Sequence, residues 1–509
     1  MSEKDAILSK LPQVPEPYWR DSEMMSFPEL SEDLTTDVVI VGGGITGITT
    51  AYLLVKQGFK VVLLEADQLI NGTTGHTTAK ITTQHDLIYD EFIQHLGVEK
   101  TKQYFQANQH AADFIKQLVK DENIECDLSS QDAYIYTNSK QEIDKLVKEY
   151  QAYEKLEMGG EYVDHIPLDI NVKGAIVLRN QAQFHPVKYL RKLVQSIIEN
   201  GGRIFEKTAA VNLDFGKEPV VKTRDGYTVK GKYVASCTHF PFHDNGFYFS
   251  RMYADRSYVL AVKTEKEYPG GMYLSAEDPK RSLRYAETDG DRYIIIGGES
   301  HKTGQDKDTL KHYLALAEFG EKTFGINEFK YRWSTQDLTT LDKVPYIGHI
   351  TSGKQNVFVA TGYRKWGMTN GTAAAHLIKD LIVNGSSPYE EVFSPTRFQA
   401  DPSVKHFLTQ NANVAKNLIE GKLEYVANRP EKLEKDEGAV VSFCGKRAGA
   451  YKDKDGQLHI VDTTCTHMGC EVEWNNGDRT WDCPCHGSRF SYDGEVIEGP
   501  AKKPLKKLE

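Results

Sequence analysis

Two short boxes near the end of the chain carry the strongest chemical signal. Cys465-Thr-His467-Met-Gly-Cys470 is followed after twelve residues by Cys483-Pro-Cys485-His486-Gly-Ser488. Each box offers one thiolate and one imidazole. A [2Fe-2S] centre held by two cysteines on one iron and two histidines on the other needs two loops that each deliver one of both types. Cys465, His467, Cys483 and His486 meet that need. Cys470 and Cys485 are left over beside these loops, where a disulfide could pin them together over the cluster. Such a bond is unusual in a reducing compartment, although burial beside the cluster could protect it. Structural zinc draws on the same residue types, but two complete boxes favour the iron-sulfur alternative.

A second signal lies near the start. Gly42-Gly-Gly44-Ile-Thr-Gly47 fits G-x-G-x-x-G, directly after the apolar β-branched run Asp37 to Val41 and before the apolar-periodic stretch Ile45 to Val55. A second strand at Lys60 to Leu64 ends at Glu65. Strand, glycine turn, helix and strand make a βαβ unit. The first glycine permits the tight turn, the second lets backbone N–H groups approach a pyrophosphate, and the third allows close helix packing. Glu65 is placed to accept hydrogen bonds from an adenosine ribose. The motif alone does not separate NAD from FAD.

The terminal boxes resemble the Rieske family over about Asn428 to Glu509, including Gly499-Pro500-Ala501, which looks like that family's proline loop over the cluster. The resemblance implies that Ser488 donates a hydrogen bond to a cluster sulfur. Two residues further on, the high-potential respiratory members carry a tyrosine and this chain has Phe490. One hydrogen bond fewer to the reduced cluster lowers its potential. The expectation is a value in the middle or lower part of the family's range of about −150 to +300 mV.

The stretch from about Leu34 to Gly385 resembles the FAD-dependent amine and amino-acid oxidases, a family that includes D-amino-acid, glycine and sarcosine oxidases. The likeness rests on the glycine fingerprint, on Gly72-Thr-Thr-Gly75-His-Thr-Thr-Ala79, on Val211 and Thr238, on Leu341-Asp-Lys-Val-Pro345-Tyr-Ile-Gly348, and on Thr361-Gly362-Tyr-Arg-Lys365-Trp-Gly367-Met-Thr369. It implies FAD as cofactor. Gly42, Gly44, Gly47 and Glu65 then hold the ADP half, and Thr74 to Ala79 approach the pyrophosphate and flavin. Val211 meets the adenine, and Thr238 follows a returning strand. Gly362, Gly367 and Thr369 place a helix N-terminus near the flavin, where its positive end and Lys365 would stabilise the anionic reduced ring. Arg364, Lys365, Arg284 and Tyr258 are the candidate catalytic residues, with Tyr285 a further pocket candidate. Strand tyrosines are more often packing residues. Some oxidases of this family bind flavin through a cysteine; Cys126 and Cys237 lie in no motif that supports this, and the point stays open.

These groups need a scaffold of several domains, since 509 residues exceed one hydrophobic core. The expected fold is an α/β FAD-binding Rossmann-like domain interleaved with an α+β antiparallel-sheet substrate domain, plus a C-terminal all-β Rieske domain. The expected layout is an extension over 1–33 and the oxidoreductase over 34–385. Within the latter, FAD-binding segments cover about 34–85, 170–240 and 341–385, and substrate segments about 86–169 and 241–340. A helical linker over 386–427 leads to the Rieske domain over 428–509. Much of 86–160 has helical spacing, and 247–298 reads as sheet carrying Tyr258, Tyr273, Tyr285 and Tyr293.

The formal charge of −10 is spread along the chain without a basic block, which argues against nucleic acid as a partner. No apolar run approaches the roughly 18 residues of a membrane span, and the first residues lack the apolar core of a secretory signal. Cys126 and Cys237 are isolated while five cysteines cluster between Cys444 and Cys485, the pattern of a metal site and not of a secreted disulfide framework. Cytoplasmic location is the expectation. The chemistry expected is oxidation of a small amine or amino acid, with electrons passed from FAD to the cluster and on to an unknown acceptor. An NAD(P)H-fed reductase for a partner protein and a non-enzymatic redox sensor remain alternatives.

Overall fold

The computed structural model describes residues 3–508 apart from 245, 289, 398, 399, 425 and 427. The expected linker boundary at 427 and the chain end at 509 lie outside the described residues. β1 (Leu34–Val41), α1 (Ile45–Lys56) and β2 (Val61–Leu64) form the βαβ unit. β3 (Arg203–Phe205) and β4 (Thr228–Ser236) return to the same sheet. The second layer contains β5 (Met252–Thr264), β6 (Asp291–Lys302) and β7 (Ile326–Thr340). β8 (Tyr346–His349), β9 (Val357–Thr361), α2 (Gly367–Asn384) and α3 (Ala400–Leu423) follow.

The first sheet runs β8-β9-β4-β1-β2-β3. Its centre is parallel, β4 to β1 to β2 to β3, and Val38, Val39 and Ile40 have no exposed surface. A strand covered on both faces needs such an unbroken β-branched run. α1 and α2 pack together on one face, contributing Ile48, Ala51, Ala374 and Ile378 to a continuous core.

The second sheet has nine strands and begins β7-β5-β6. It continues through Arg281–Thr288 and Met272–Ser275 to Ser129–Thr137, Gly174–Gln183 and Lys80–Ile81. Its strands are not confined to the expected substrate segments. Gly174–Gln183 falls in a stretch expected to serve the nucleotide-binding layer, yet it pairs antiparallel with Ser129–Thr137. Within 86–160 the helices Tyr89–Leu96, Val98–Asp121 and Ile143–Leu156 are interrupted by that strand, whose Ala133–Tyr136 run is buried.

The C-terminal part is all β, with a three-stranded sheet over Glu437–Phe443, Lys446–Lys452 and Leu458–Val461 and a four-stranded one from Glu473–Asn475 to Val496–Glu498. It docks on β5 and β7. Strand side chains alternate between faces, and here the two faces serve different modules. Tyr253, Asp255 and Ser257 of β5, with Asp337 and Thr339 of β7, line a large cavity. Ala254 meets Gly487, Gln336 Nε2 donates to Gly487 O at 2.9 Å, and Arg332 donates to Gly477 O at 2.6 Å on the other face.

Arg256 belongs to that outer face. Its side chain is 0% exposed and lies 3.0 Å from Glu498, 3.5 Å from Asp478 and 3.7 Å from Asp482. Arg489 completes the cluster, 3.0 Å from Asp478 and 3.1 Å from Asp482. Removing one member of a buried ion cluster leaves uncompensated charge, typically costing about 3–5 kcal/mol. Arg256→Leu is expected to lower the unfolding free energy extrapolated from urea titration by an amount in that range, with the C-terminal module unfolding ahead of the rest.

Candidate flavin and iron-sulfur sites

The glycine turn is built to bring backbone close to a ligand. Gly42 has φ +107°, and a Cβ there would lie 2.5 Å from Cys237 O. A Cβ on Gly47 would lie 1.9 Å from Gly42 O, so only glycine allows α1 this close to β1. Gly44 precedes the first turn of α1, and Ile45 N–H donates to Thr74 Oγ1 at 3.1 Å. Glu65 Oε2 accepts from Gly43 N–H at 2.6 Å and Oε1 from Asp67 N–H at 3.0 Å. Burial pushes the Glu65 carboxyl up against these opposing donors.

The cavity that opens from this turn has a volume of about 1290 Å³. Gly42, Gly44, Glu65, Thr74, Val211, Thr238 and Gly367 all line it. Ala79 sits at the far end of the Gly72–Ala79 loop in a left-handed conformation, φ +54°. That loop is pinned from outside, because Trp19 Nε1 donates to Thr77 O at 2.7 Å and Trp333 Nε1 to His76 O at 2.9 Å. Gly362, φ +79°, turns the chain from β9 towards α2, where a Cβ would meet Thr340 at 2.5 Å. Thr369 is buried in the first turn of α2 and bonds His85 Nε2 at 2.9 Å.

The four candidate catalytic residues separate into two pairs. Lys365 Nζ donates to Asp337 Oδ2 at 2.9 Å and to Ser257 Oγ, at the cavity wall beside the start of α2. Arg364 also lines the cavity and donates to His85 O at 2.9 Å. Arg284, by contrast, is 3% exposed and donates to Thr78 O, Ala79 O and Phe184 O at 2.9, 2.8 and 3.3 Å. It braces the Gly72–Ala79 loop from behind. Tyr258 stacks on His312 at 4.8 Å, and its hydroxyl meets His301 Nε2 at 2.9 Å. Tyr258 also lines the cavity, with its hydroxyl engaged by His301. Tyr285 accepts from Gln131 Nε2 at 3.0 Å.

Several groups in or beside the cavity wall have no sequence signal. Asp255 and Asp337 face each other across β5 and β7. Burial is the main cause that lifts the Asp255 carboxyl to about 6, reinforced by Asp337 and opposed by Lys365. Lys80 is buried beside Tyr273 O and Ser282 Oγ, and desolvation brings its ammonium down to about 7. His85 lies against Trp366 at 4.9 Å, and burial followed by the Arg364 charge holds its pKa near 3, so it is neutral. Cys237 lies behind Gly42, and burial pushes its thiol up to about 12.

The four candidate iron ligands come together in the terminal module. Cys465 and Cys483 are buried, and the rings of His467 and His486 stand perpendicular with centroids 5.0 Å apart. Each loop closes on itself, through Gly469 N–H to Cys465 O at 2.9 Å and Gly487 N–H to Cys483 O at 3.1 Å. His467 Nδ1 and His486 Nδ1 are buried without a hydrogen-bond partner among the described residues. Buried imidazole nitrogens without donors or acceptors fit metal ligation. Cys470 and Cys485 form a disulfide linking the loops, with Cα atoms 6.5 Å apart. Ser488 Oγ accepts from Ala501 N–H at 3.0 Å, tying the Gly499–Ala501 loop to the site. Phe490 is fully buried in the cluster of residues that contains both cysteines. Phe249 presents an edge-to-face contact to both histidines, at 5.5 and 5.4 Å.

Residues 37–381 match the model of the FAD dependent oxidoreductase family. The chain belongs to that family. Residues 424–509 match the Rieske [2Fe-2S] domain, so this FAD-dependent oxidoreductase carries a Rieske module at its C-terminal end. YhfW of Bacillus subtilis (strain 168), named as a Rieske 2Fe-2S iron-sulfur protein, is 50% identical over 499 residues and 98% of both chains. The gamma-glutamylputrescine oxidoreductase of Escherichia coli (strain K12) is 24% identical, covering 70% of this chain and 85% of its own. Glycine oxidase from Geobacillus kaustophilus superposes with a TM-score of 0.61 at 18% identity, over 72% of this chain and 99% of its own.

The residues present therefore fit both cofactors of the oxidoreductase. FAD supplies a two-electron acceptor and the [2Fe-2S] cluster a one-electron carrier. Gly47→Ala is expected to abolish flavin retention, because the added Cβ meets backbone that cannot yield; the visible absorbance of the purified variant measures this. Phe490→Tyr is expected to raise the cluster midpoint towards the upper half of the range of about −150 to +300 mV. A redox titration followed by EPR reads the direction, and a fall or no change contradicts it.

Proposed function

We propose that the protein oxidises a small amine or amino acid at FAD and passes the electrons one at a time through the cluster to an external acceptor. The observation that carries this reading is the shared wall of β5 and β7. Asp255 and Asp337 face the flavin cavity, while Ala254 and Gln336, their neighbours in the chain, contact Gly487 beside the ligand His486. The cavity and the Rieske module thus share a wall, and Gly499, Pro500 and Ala501 of that module also line the cavity, which supports a short path between the two cofactors.

A flavin holds one or two electrons and the cluster only one, so the pairing suits conversion of a hydride donor into single-electron supply. The names of the relatives, a gamma-glutamylputrescine oxidoreductase and a glycine oxidase, support C–N bond oxidation as the entry step. Among the protein's own residues, the wall of the cavity orients the substrate and excludes water. Lys365, held by Asp337 and Ser257 at the start of α2, offers positive charge to a reduced ring.

Anaerobic stopped-flow mixing with an oxidisable amine is expected to bleach the flavin first, with the reduced-cluster EPR signal growing afterwards. A fully reduced flavin beside a persistently oxidised cluster would falsify internal transfer. Rapid bleaching by NADH in the absence of any amine would instead favour a reductase.

A further inference from the structure

We propose that Asp255 is the binding site for the ammonium group of the substrate and the acceptor of its proton, so that the cavity takes a cationic amine. This rests on the reading that the flavin oxidises an amine, and assigns a residue and a charge state to it.

The cavity contains several charged side chains, and most already have partners. Lys280 pairs with Asp86 at 2.9 Å, Lys343 with Glu91 at 2.6 Å and Lys365 with Asp337 at 2.9 Å. Asp255 differs: among the described residues its carboxylate has no hydrogen bond or ion pair, although it lines the cavity from the middle of the wall. The groups whose charges reach it are Lys365 from the segment before α2, Asp337 from β7 and Lys302 from β6, with Tyr253 on its own strand. Lys365 is held by Asp337 and Ser257, and Lys302 donates to Gln410 Oε1 at 2.6 Å on α3. Neither cation is bonded to Asp255. A partly desolvated carboxylate facing a ligand cavity without a cation is stabilised by a ligand that brings one.

The position also suits the chemistry. An ammonium ion has no lone pair, so it cannot support loss of hydride from the adjacent carbon. Transfer of one proton from the ammonium nitrogen to an Asp255 oxygen leaves a neutral amine and a neutral carboxylic acid, with total charge unchanged. The freed lone pair would support C=N bond formation as the C–H bond breaks, and bound FAD would supply the two-electron acceptor for the hydride. A base that ionises in the weakly acidic range is matched to this task. Below its ionisation the carboxyl is already protonated and neither binds the cation nor takes its proton.

The test uses the full-length, FAD-loaded and cluster-loaded protein, with Asp255→Asn and Asp255→Glu variants checked for parental flavin and cluster absorbance. The first readout is binding of n-butylammonium, followed by perturbation of the flavin spectrum. Asp255→Asn is expected to weaken it at least tenfold, and Asp255→Glu to retain most of it. The second is the pH profile of anaerobic flavin reduction by n-butylamine, putrescine, sarcosine and glycine. The parent is expected to lose rate as pH falls through about 6, a limb absent in Asp255→Asn and present in Asp255→Glu. Unchanged ammonium affinity and an unchanged acid limb in Asp255→Asn overturn the assignment while leaving amine oxidation intact. Failure of all four amines to bleach the parental flavin overturns the amine reading itself, and the proton-transfer step with it.

Discussion

A guanidinium with no exposed surface must find its counter-charges inside the protein, and Arg256 finds them in another module. Its strand belongs to the flavoprotein layer, whereas Asp478, Asp482 and Glu498 belong to the Rieske fold. While the modules stay docked, loss of any one member would leave its partners' charges buried and uncompensated. The burial of this network, which a surface ion pair would lack, makes the position of the iron-sulfur module a property of the fold. Thr309 Oγ1, which donates towards Asn475 Oδ1 and Asn476 Oδ1 at 2.6 and 2.8 Å, extends the same contact along the interface.

From that docking follows the division of labour along β5. A strand offers two faces at a two-residue period, and here one face meets a cavity and the other a protein surface. The arrangement gives the cavity and the Rieske module a common wall, and at its rim Gly499, Pro500 and Ala501 of the Rieske module line the cavity directly. It also explains Gly487. A Cβ at this position would lie 2.4 Å from Ala254 Cβ, and its φ of +79° already favours glycine. The residue beside the candidate ligand His486 is therefore shaped by the flavoprotein wall as much as by its own loop.

How much of this is legible in the sequence follows from the range of each constraint. Cys465, His467, Cys483 and His486 are visible because the ligand spacing is local, and Gly42, Gly44 and Gly47 because a tight turn before a helix leaves the same three positions without side chains. Glu65 is legible from its place at the end of β2. Asp255 and Asp337 carry no such mark: they meet only through the β5–β7 register, set by pairing between distant segments. Arg284 and Tyr258 show the opposite difficulty. Both are polar residues on strands of the layer that walls the cavity, but which face a strand residue occupies depends on parity, and a register shift between Arg256 and Tyr258 in the pairing with β6 interrupts simple alternation. The loop-bracing role of Arg284 likewise depends on three carbonyls from two remote segments.

The two aspartates illustrate how position alone separates chemically identical groups. Facing carboxylates on paired strands repel, and both cannot stay ionised in a partly buried wall without a nearby cation. Lys365 supplies one cation for two acids. Its bond to Asp337 and its second bond to Ser257, two residues along β5 from Asp255, fix the ammonium on one side of the pair. Asp337 is thereby committed to the ion pair with Lys365. Asp255 receives only the longer-range part of the Lys365 field together with the repulsion of its neighbour, which is why burial prevails and raises its pKa. A lysine placed by the turn into α2, at the positive end of a helix, thus leaves one carboxylate committed to structure and the other responsive to what enters the cavity.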